Sequence, residues 1–337
     1  MKSKIINFLS FIPLILGIIP LSSCDSNINK ITIAEVTHSL FYAPMYIAKE
    51  KGYFNEVGLD IDIITTAGAD KVMAALLSKD ANVGLMGPEA TVYVYQNGQK
   101  DYAVNFAQLT QKDGSFLLGR DKVDNFSYDM LKGKTIIGGR KGGMPEMTLE
   151  YVLKQNGLTI TQNNENPNAD VNIRVDVSFD ATSGVFVAGE SDFVTAFEPT
   201  ASQIEKSGQG YIVSSIGKDS GIVPYTCFSS LKSYFNDNED KLIRFTKAIK
   251  KWLEFVNNNE SKNLVEYLKP NFESSSDEEI INVLNNYKSI EAWPSVLGFN
   301  ENNFDKLIDI VKEAGELDKD IQVPYDKLVT NTIITSI

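Results

Sequence analysis

His38 is the only histidine in the chain and stands in "HSLFYAPMYIAKEKGYF", His38 to Phe54, a stretch dense in aromatic rings. It comes two residues after an apolar run, "ITIAEV" (Ile31 to Val36), that reads as a buried strand, so it lies at a strand's carboxyl end, where ligand loops form. Histidine catalysis needs a partner nucleophile or carboxylate, and the chain holds no G-x-S-x-G elbow. His38 therefore reads either as one wall of a binding site or as a structural histidine bonded to backbone at a helix start. Phe41 and Tyr42 either stack on a planar ligand or cover the body of the protein.

A second stretch, "GGRKGGMPEM" (Gly138 to Met147), is a strand end, a glycine-rich turn and a helix opening on proline. It is not a phosphate-binding P-loop, because Met144 follows Gly143 where that motif needs lysine, and G-x-G-x-x-G does not fit it either. A helix start does offer free backbone N–H groups, so Gly142, Gly143 and Met144 are expected to form a ligand-binding turn, with Arg140 and Lys141 either sharpening the field or simply solvated. Two acids occupy matching positions, Glu89 in "GPEA" after Gly87 and Glu198 in "FEPTA". Each would accept hydrogen bonds from an amine, an aminopyrimidine or a cation, or else stabilise its own helix start. Gln108 either reaches a cleft floor or satisfies backbone groups.

The elements that position these residues alternate short apolar runs with amphipathic stretches, as in α/β proteins with largely parallel sheets. After "ITIAEV" come a helix over 42–51, a strand at "LDIDIIT", a helix at "KVMAALLS", a strand at "NVGLMG", a helix from Pro88 to Gln96 and a strand at "YAVNFAQL". The pattern restarts after "TQKDGS", with strands at "FLLGR", "KTIIGG", "NIRVDV", "DFVTAFE" and "GYIVSS" and helices over 145–155 and 199–206. Residues 161–170 read as a polar loop. From Leu242 the texture is helical: 241–257, 262–268, 277–287 and 303–314. Two α/β runs with a helical tail predict two lobes, 31–110 with 225–337 and 111–224. Crossings are placed near Ala107 to Ser115 and Ile216 to Thr226, where Gly114, Gly217 and Gly221 would absorb a hinge rotation. Ligands of open parallel sheets bind beyond the strands' carboxyl ends, which puts the cleft between the lobes.

The net charge of −12 disfavours nucleic acid and an anionic membrane surface. One histidine and two cysteines leave no zinc or iron–sulfur constellation, and no cofactor is expected. The start, "MKSKIINFLSFIPLILGIIPLSSC", has the basic, apolar and small-residue order of an export signal. Leu21 to Cys24 resembles the bacterial lipobox, in which the cysteine is acylated after cleavage. Residues 1–23 are then a signal peptide, 24–30 a tether, and Cys227 the one remaining thiol, which rules out an internal disulfide.

With these segments, "HSLFYAPMYIAKEKGYFNEVGLDIDI", "NVGLMGPEATVYVYQNG", "GGRKGGMPEMTLEYVLKQNG", "FEPTAS" and "AGELDKDIQVPYDKLV", nearly the whole mature chain resembles the substrate-binding lipoproteins of ABC importers for nitrate, taurine, alkanesulfonates and thiamine pyrimidine precursors. The resemblance implies a hinged, two-lobed periplasmic-binding-protein-like fold. It further implies a monomer, lipid-anchored outside the cytoplasm, that delivers a small solute to a permease and its ATPase. Sulfonate binders usually carry Gly-Asp-x-Pro where Gly87 to Glu89 stands, and serine or threonine at the turn of Gly142 to Met144. Those departures favour an amine-bearing heteroaromatic over a sulfonate. Phe197 to Pro199 matches their Trp-Asp-Pro, so Glu198 alone excludes nothing. The same family contains a pyrimidine synthase that uses histidine, pyridoxal phosphate and a cysteine cluster; this chain lacks the cluster, and the resemblance implies a binder rather than an enzyme. A ligand-sensing lipoprotein is the remaining alternative.

Overall fold

A computed structural model describes residues 29–178 and 181–337. The lipobox and Cys24 lie outside the described residues. Among the described residues, eleven strands form two sheets: β1 (Lys30–Glu35), β2 (Asp60–Thr65), β3 (Val83–Met86), β4 (Ala103–Thr110) and β11 (Thr226–Leu231) in one, and β5 (Ser115–Gly119), β6 (Lys134–Ile137), β7 (Ile160–Gln162), β8 (Val171–Arg174), β9 (Phe193–Phe197) and β10 (Tyr211–Ser215) in the other. The first sheet runs β2-β1-β3-β11-β4 and the second β10-β5-β9-β6-β8-β7.

β1 is flanked on both sides by parallel partners, and its Ile31 and Ile33 are fully buried. β2 is an edge strand, and its exposed Asp60 and Asp62 suit that place, since inward-facing apolar residues alternate with charges that deter further pairing. Two expectations are corrected. The sheets are mixed rather than largely parallel: β11 is antiparallel to both β3 and β4, and β5 is antiparallel to both β9 and β10. Strands that follow a crossing arrive from the opposite end of their sheet, which sets this direction. Residues 161–170 are also not wholly loop, because the edge strand β7 takes in Thr161 and Gln162.

Helix Glu239–Asn257 presents Leu242, Phe245, Ile249, Trp252 and Val256, one stripe at helical spacing, to helix Ala43–Glu50 and the first sheet. Helix Glu301–Glu313 crosses to the other body, packing on helix Met144–Gln155, with Lys306 donating to the carbonyl of Ser220 and Lys154 to that of Glu313. The bodies are joined by two short crossings, residues 111–114 and 221–225, which run side by side: Val223 donates to the carbonyl of Gln111 and Tyr225 to that of Thr110. Among the described residues no helix is long and apolar enough to cross a membrane.

Candidate ligand-binding site

The seam between the two sheets collects the carboxyl end of β3, both crossings and the loop after β1. Pro88 ends β3's turn, and Glu89 opens helix Glu89–Gln96. Its carboxylate folds back over Gly87 so closely that a Cβ there would sit 2.0 Å from Oε2. Only glycine leaves that room. Glu89 is 3% exposed, and its Oε2 is buried without a hydrogen bond from the described residues. Burial pushes its carboxyl up to about 7, against a smaller opposing pull from its own backbone N–H and from Arg140.

Tyr42 is buried within electrostatic range of Glu89 and reaches Thr226, at the start of β11. Phe41 touches both bodies: its ring meets Phe197 of the second sheet at 5.7 Å, Tyr225 of the return crossing at 5.9 Å and Tyr287 at 4.9 Å. Trp293 fixes Phe41 from behind by donating to its carbonyl at 3.0 Å. Gly114 makes room for this contact, since a Cβ there would lie 2.7 Å from the Phe41 ring and 2.9 Å from that of Phe197.

Other expected residues are placed differently. His38 lies half exposed on the flank of the first body. Its Nε2 is 2.8 Å from the Asn271 carbonyl, its Nδ1 is 3.2 Å from Glu35 and 2.9 Å from the Tyr46 hydroxyl, and its ring stacks on Phe272 at 4.6 Å. Both ring nitrogens are taken by the protein, which corrects the expectation of a ligand wall: this is a structural histidine. The hydrogen bond to Glu35 raises its pKa, with burial opposing.

Glu198 is likewise satisfied. It accepts from the Ser202 N–H at 3.0 Å, the Ser202 hydroxyl at 2.8 Å and the Asn286 amide at 2.6 Å, while its own N–H donates to Tyr287. It is a helix cap, and the expectation of a ligand contact is corrected on that ground.

At the turn before helix Met144–Gln155, the Gly142 N–H donates to Glu146 at 3.2 Å and the Gly143 N–H to the Arg140 carbonyl at 3.2 Å. Both donors expected for a ligand are used inside the turn, one by a backbone carbonyl and one by buried Glu146, whose own carboxyl is raised by burial and by neighbouring Glu150. Met144 is buried beneath them. Tyr93 closes the seam by donating to the Gly142 carbonyl at 3.3 Å. Arg140 lies 3.8 Å from Asp70, and Lys141 3.9 Å from Glu316, so both cations have acidic neighbours from the first body's segments. Gln108 is buried in β4, with its N–H bonded to the Leu297 carbonyl at 2.8 Å.

Sequence reading missed Asp113 and Tyr225. Asp113 is fully buried in the outgoing crossing, and its Oδ1 accepts from the Ser115 N–H at 2.6 Å. Burial raises its carboxyl to about 6, against the hydrogen-bonding pull of Ser115 and then of Tyr225 and Thr148. The Tyr225 hydroxyl, in the return crossing, is also buried and interacts with Asp113; burial and then that carboxylate raise its pKa. An acid inside "QKDGS" carries the signature of an ordinary turn, and only its burial distinguishes it.

Two α/β bodies joined by paired crossings, with buried polar groups facing the seam, define the hinged, two-lobed fold of periplasmic binding proteins. The alkanesulfonate-binding protein SsuA from Xanthomonas axonopodis pv. citri, solved bound to MOPS, superposes with a TM-score of 0.70 at 15% identity, over 90% of this chain and 99% of that one. A ligand-binding component of an ABC-type import system from Staphylococcus aureus, solved with zinc bound, gives 0.69 at 15% identity, over 91% and 98%. The NMT1/THI5-like family profile matches residues 41–262. "Putative binding protein YtlA" of Bacillus subtilis (strain 168) is 41% identical over 315 residues, 93% of this chain and 92% of that protein. The chain belongs to the NMT1/THI5-like family.

Proposed function

We infer that this chain is the extracytoplasmic solute-binding component of an ABC importer. Its lobes, 31–110 with 225–337 and 111–224, close on a small planar solute that bears an amine-type donor, of the thiamine pyrimidine precursor kind. Supporting the class are the relative's description as a binding protein and the import-system and solute-binding titles of the structural neighbours. The permease and ATPase are its partners, and acylated Cys24 is its anchor. Cys24→Ala is expected to release the protein from membranes without changing its melting temperature; equal membrane retention in fractionation refutes the anchor.

The solute's chemistry is carried by Glu89, a buried carboxylate at a strand end in the seam with one oxygen lacking a protein donor. A buried acceptor of this kind is costly unless a donor meets it. With Glu89 ionised, a sulfonate or nitrate there would face a like charge across low dielectric, at a cost of several kcal/mol. It would also meet a turn whose Gly142 and Gly143 N–H groups are already engaged.

Native mass spectrometry of the purified protein should show a carried solute. Melting should then be followed with pyrimidines, flavins, taurine, alkanesulfonates and nitrate, since a bound solute raises the transition by linkage. Stabilisation by an aminopyrimidine that is lost in Glu89→Gln is expected. Stabilisation by taurine or nitrate alone, indifferent to Glu89→Gln, overturns the solute class.

A further inference from the structure

We propose that the basic face of helix Glu239–Asn257, beside the point where the chain enters the first body, rests on the anionic headgroups of the membrane and so orients the anchored protein. This contact rests on the anchor at Cys24 inferred above. From Lys241 to Leu253 the helix carries Lys241, Arg244, Lys247, Lys250 and Lys251 and no acid, in a chain whose net charge is −12. Its acids stand at the ends, Glu239 and Asp240 in the first turn and Glu254 beyond the cations. At about 100° per residue the cations fall on one side of the helix, away from the inward stripe of Leu242, Phe245, Ile249 and Trp252. Lys247, Lys250 and Lys251 are exposed.

The protein answers only part of this charge. Arg244 pairs with Asp240 at 3.2 Å and Lys251 with Glu56. Lys250 donates to the Ile337 oxygen at 3.0 Å, and Lys241 lies over the Tyr234 ring at 6.0 Å. Among the described residues neither Lys241 nor Lys247 has a carboxylate within ion-pair distance. An acyl chain supplies the affinity, so the face need only bias the pose. Each cation within a Debye length of anionic lipid is worth roughly fivefold in population. The acidic remainder of the surface is repelled by the same lipid, which turns the other faces outward.

The place of chain entry decides what this face meets. The Asn29 carbonyl accepts from the Asp60 N–H at 3.0 Å, and its side-chain oxygen accepts from Arg244 at 3.4 Å. Arg244 also donates to the carbonyls of Val57 at 2.9 Å and Gly58 at 3.2 Å, which pins the entry point to the helix. Residues 25–28 separate Asn29 from Cys24, and five peptide steps reach at most about 18 Å. Lys251 stands seven residues beyond Arg244, about 10 Å along the helix. The basic face therefore lies within one tether length of the entry point. The contact leaves the seam open: β1 begins beside Asn29, and its parallel neighbour β3 opens on Glu89 at the other end of the sheet.

For the test, the protein expressed with its own export signal is reconstituted into vesicles of phosphatidylcholine, alone or mixed equally with phosphatidylglycerol. A fluorophore is attached at Asn55→Cys, exposed beside Glu56 at the basic face, or at Asn168→Cys, exposed on the second body, while buried Cys227 stays unlabelled. Quenching by a lipid with a nitroxide headgroup reports which side lies on the membrane. In mixed vesicles the Asn55 reporter should be quenched at least about fivefold more than the Asn168 reporter. That contrast should collapse in pure phosphatidylcholine, at high salt, and in the double variant Lys247→Gln with Lys250→Gln, whose exposed side chains are dispensable for folding. Equal quenching of both reporters in mixed vesicles, or a contrast indifferent to lipid charge, salt and the double variant, overturns the membrane face and leaves the anchor standing. Wild type that does not stay with phosphatidylcholine vesicles, where the acyl chain alone can hold it, overturns the anchor and this inference with it.

Discussion

Replacing Glu89 with Gln should make the solute-free protein more stable while it abolishes solute capture. The substitution preserves shape and removes the charge. In the wild type, burial moves the carboxyl from 4.5 to about 7. A shift of about 2.5 units, at about 1.4 kcal/mol each, amounts to roughly 3 kcal/mol. The folded state holds a proton that the unfolded chain has already lost. Stability from this group is therefore complete below about pH 4.5, falls as pH rises through about 7, and is gone above it. Glutamine does not titrate, so the difference between variant and wild type should open across that window and level off near 3 kcal/mol in the variant's favour. For a chain of this length about 2 °C accompanies each kcal/mol, which gives about 6 °C near pH 8 and almost nothing near pH 4.5. Arg140, Tyr42, Tyr225 and Cys227 lie in the field of Glu89, but they are common to both proteins. Thermal and urea melts of stripped protein at several pH values supply the measurement. A gap that stays flat with pH, or a variant that is less stable near pH 8, would refute both the buried charge and the reasoning built on it.

Gly87→Ala places a Cβ 2.0 Å from Glu89 Oε2, so the carboxylate must swing away. Solute affinity should fall by at least about tenfold, with overpacking costing about 1–3 kcal/mol of stability, both measurable by calorimetry and urea titration. His38→Gln should leave solute affinity unchanged and cost stability. Because the folded-state pKa is raised by Glu35, that stability is fully present below the ordinary value of 6.5 and disappears as pH rises through the raised one. Urea melts near pH 5.5 and near pH 9 should therefore show the loss mainly at the acid end, and equal losses would count against it. Glu198→Ala removes the acceptor for Ser202 and Asn286 and should cost about 1–2 kcal/mol, with solute affinity nearly unchanged. A large fall in affinity would return Glu198 to the binding site.

Much of the architecture was legible in the sequence because periodicity is local. Ile31 and Ile33 mark β1, the alternation of Asp60 and Asp62 with isoleucines marks β2, and the stripe from Leu242 to Val256 marks the long helix. β11, "TCFSSL", escaped because Thr226, Ser229 and Ser230 break up its apolar run, and its place between β3 and β4 depends on a return from the other body. The site divides in the same way. Glu89 and Glu198 stand in nearly equivalent sequence contexts, each an acid beside a proline at the end of a strand. Sequence put both at the mouth of the cleft and offered each the same two roles. Tertiary structure separated them: Asn286 and Tyr287, from a helix almost ninety residues away, meet Glu198, while nothing of the kind reaches Glu89 Oε2. Asn271 and Phe272 settle His38 from a still greater distance along the chain. Residue type fixes what a side chain can accept, but whether a donor arrives depends on contacts between distant segments, and the local pattern of the chain carries no record of them.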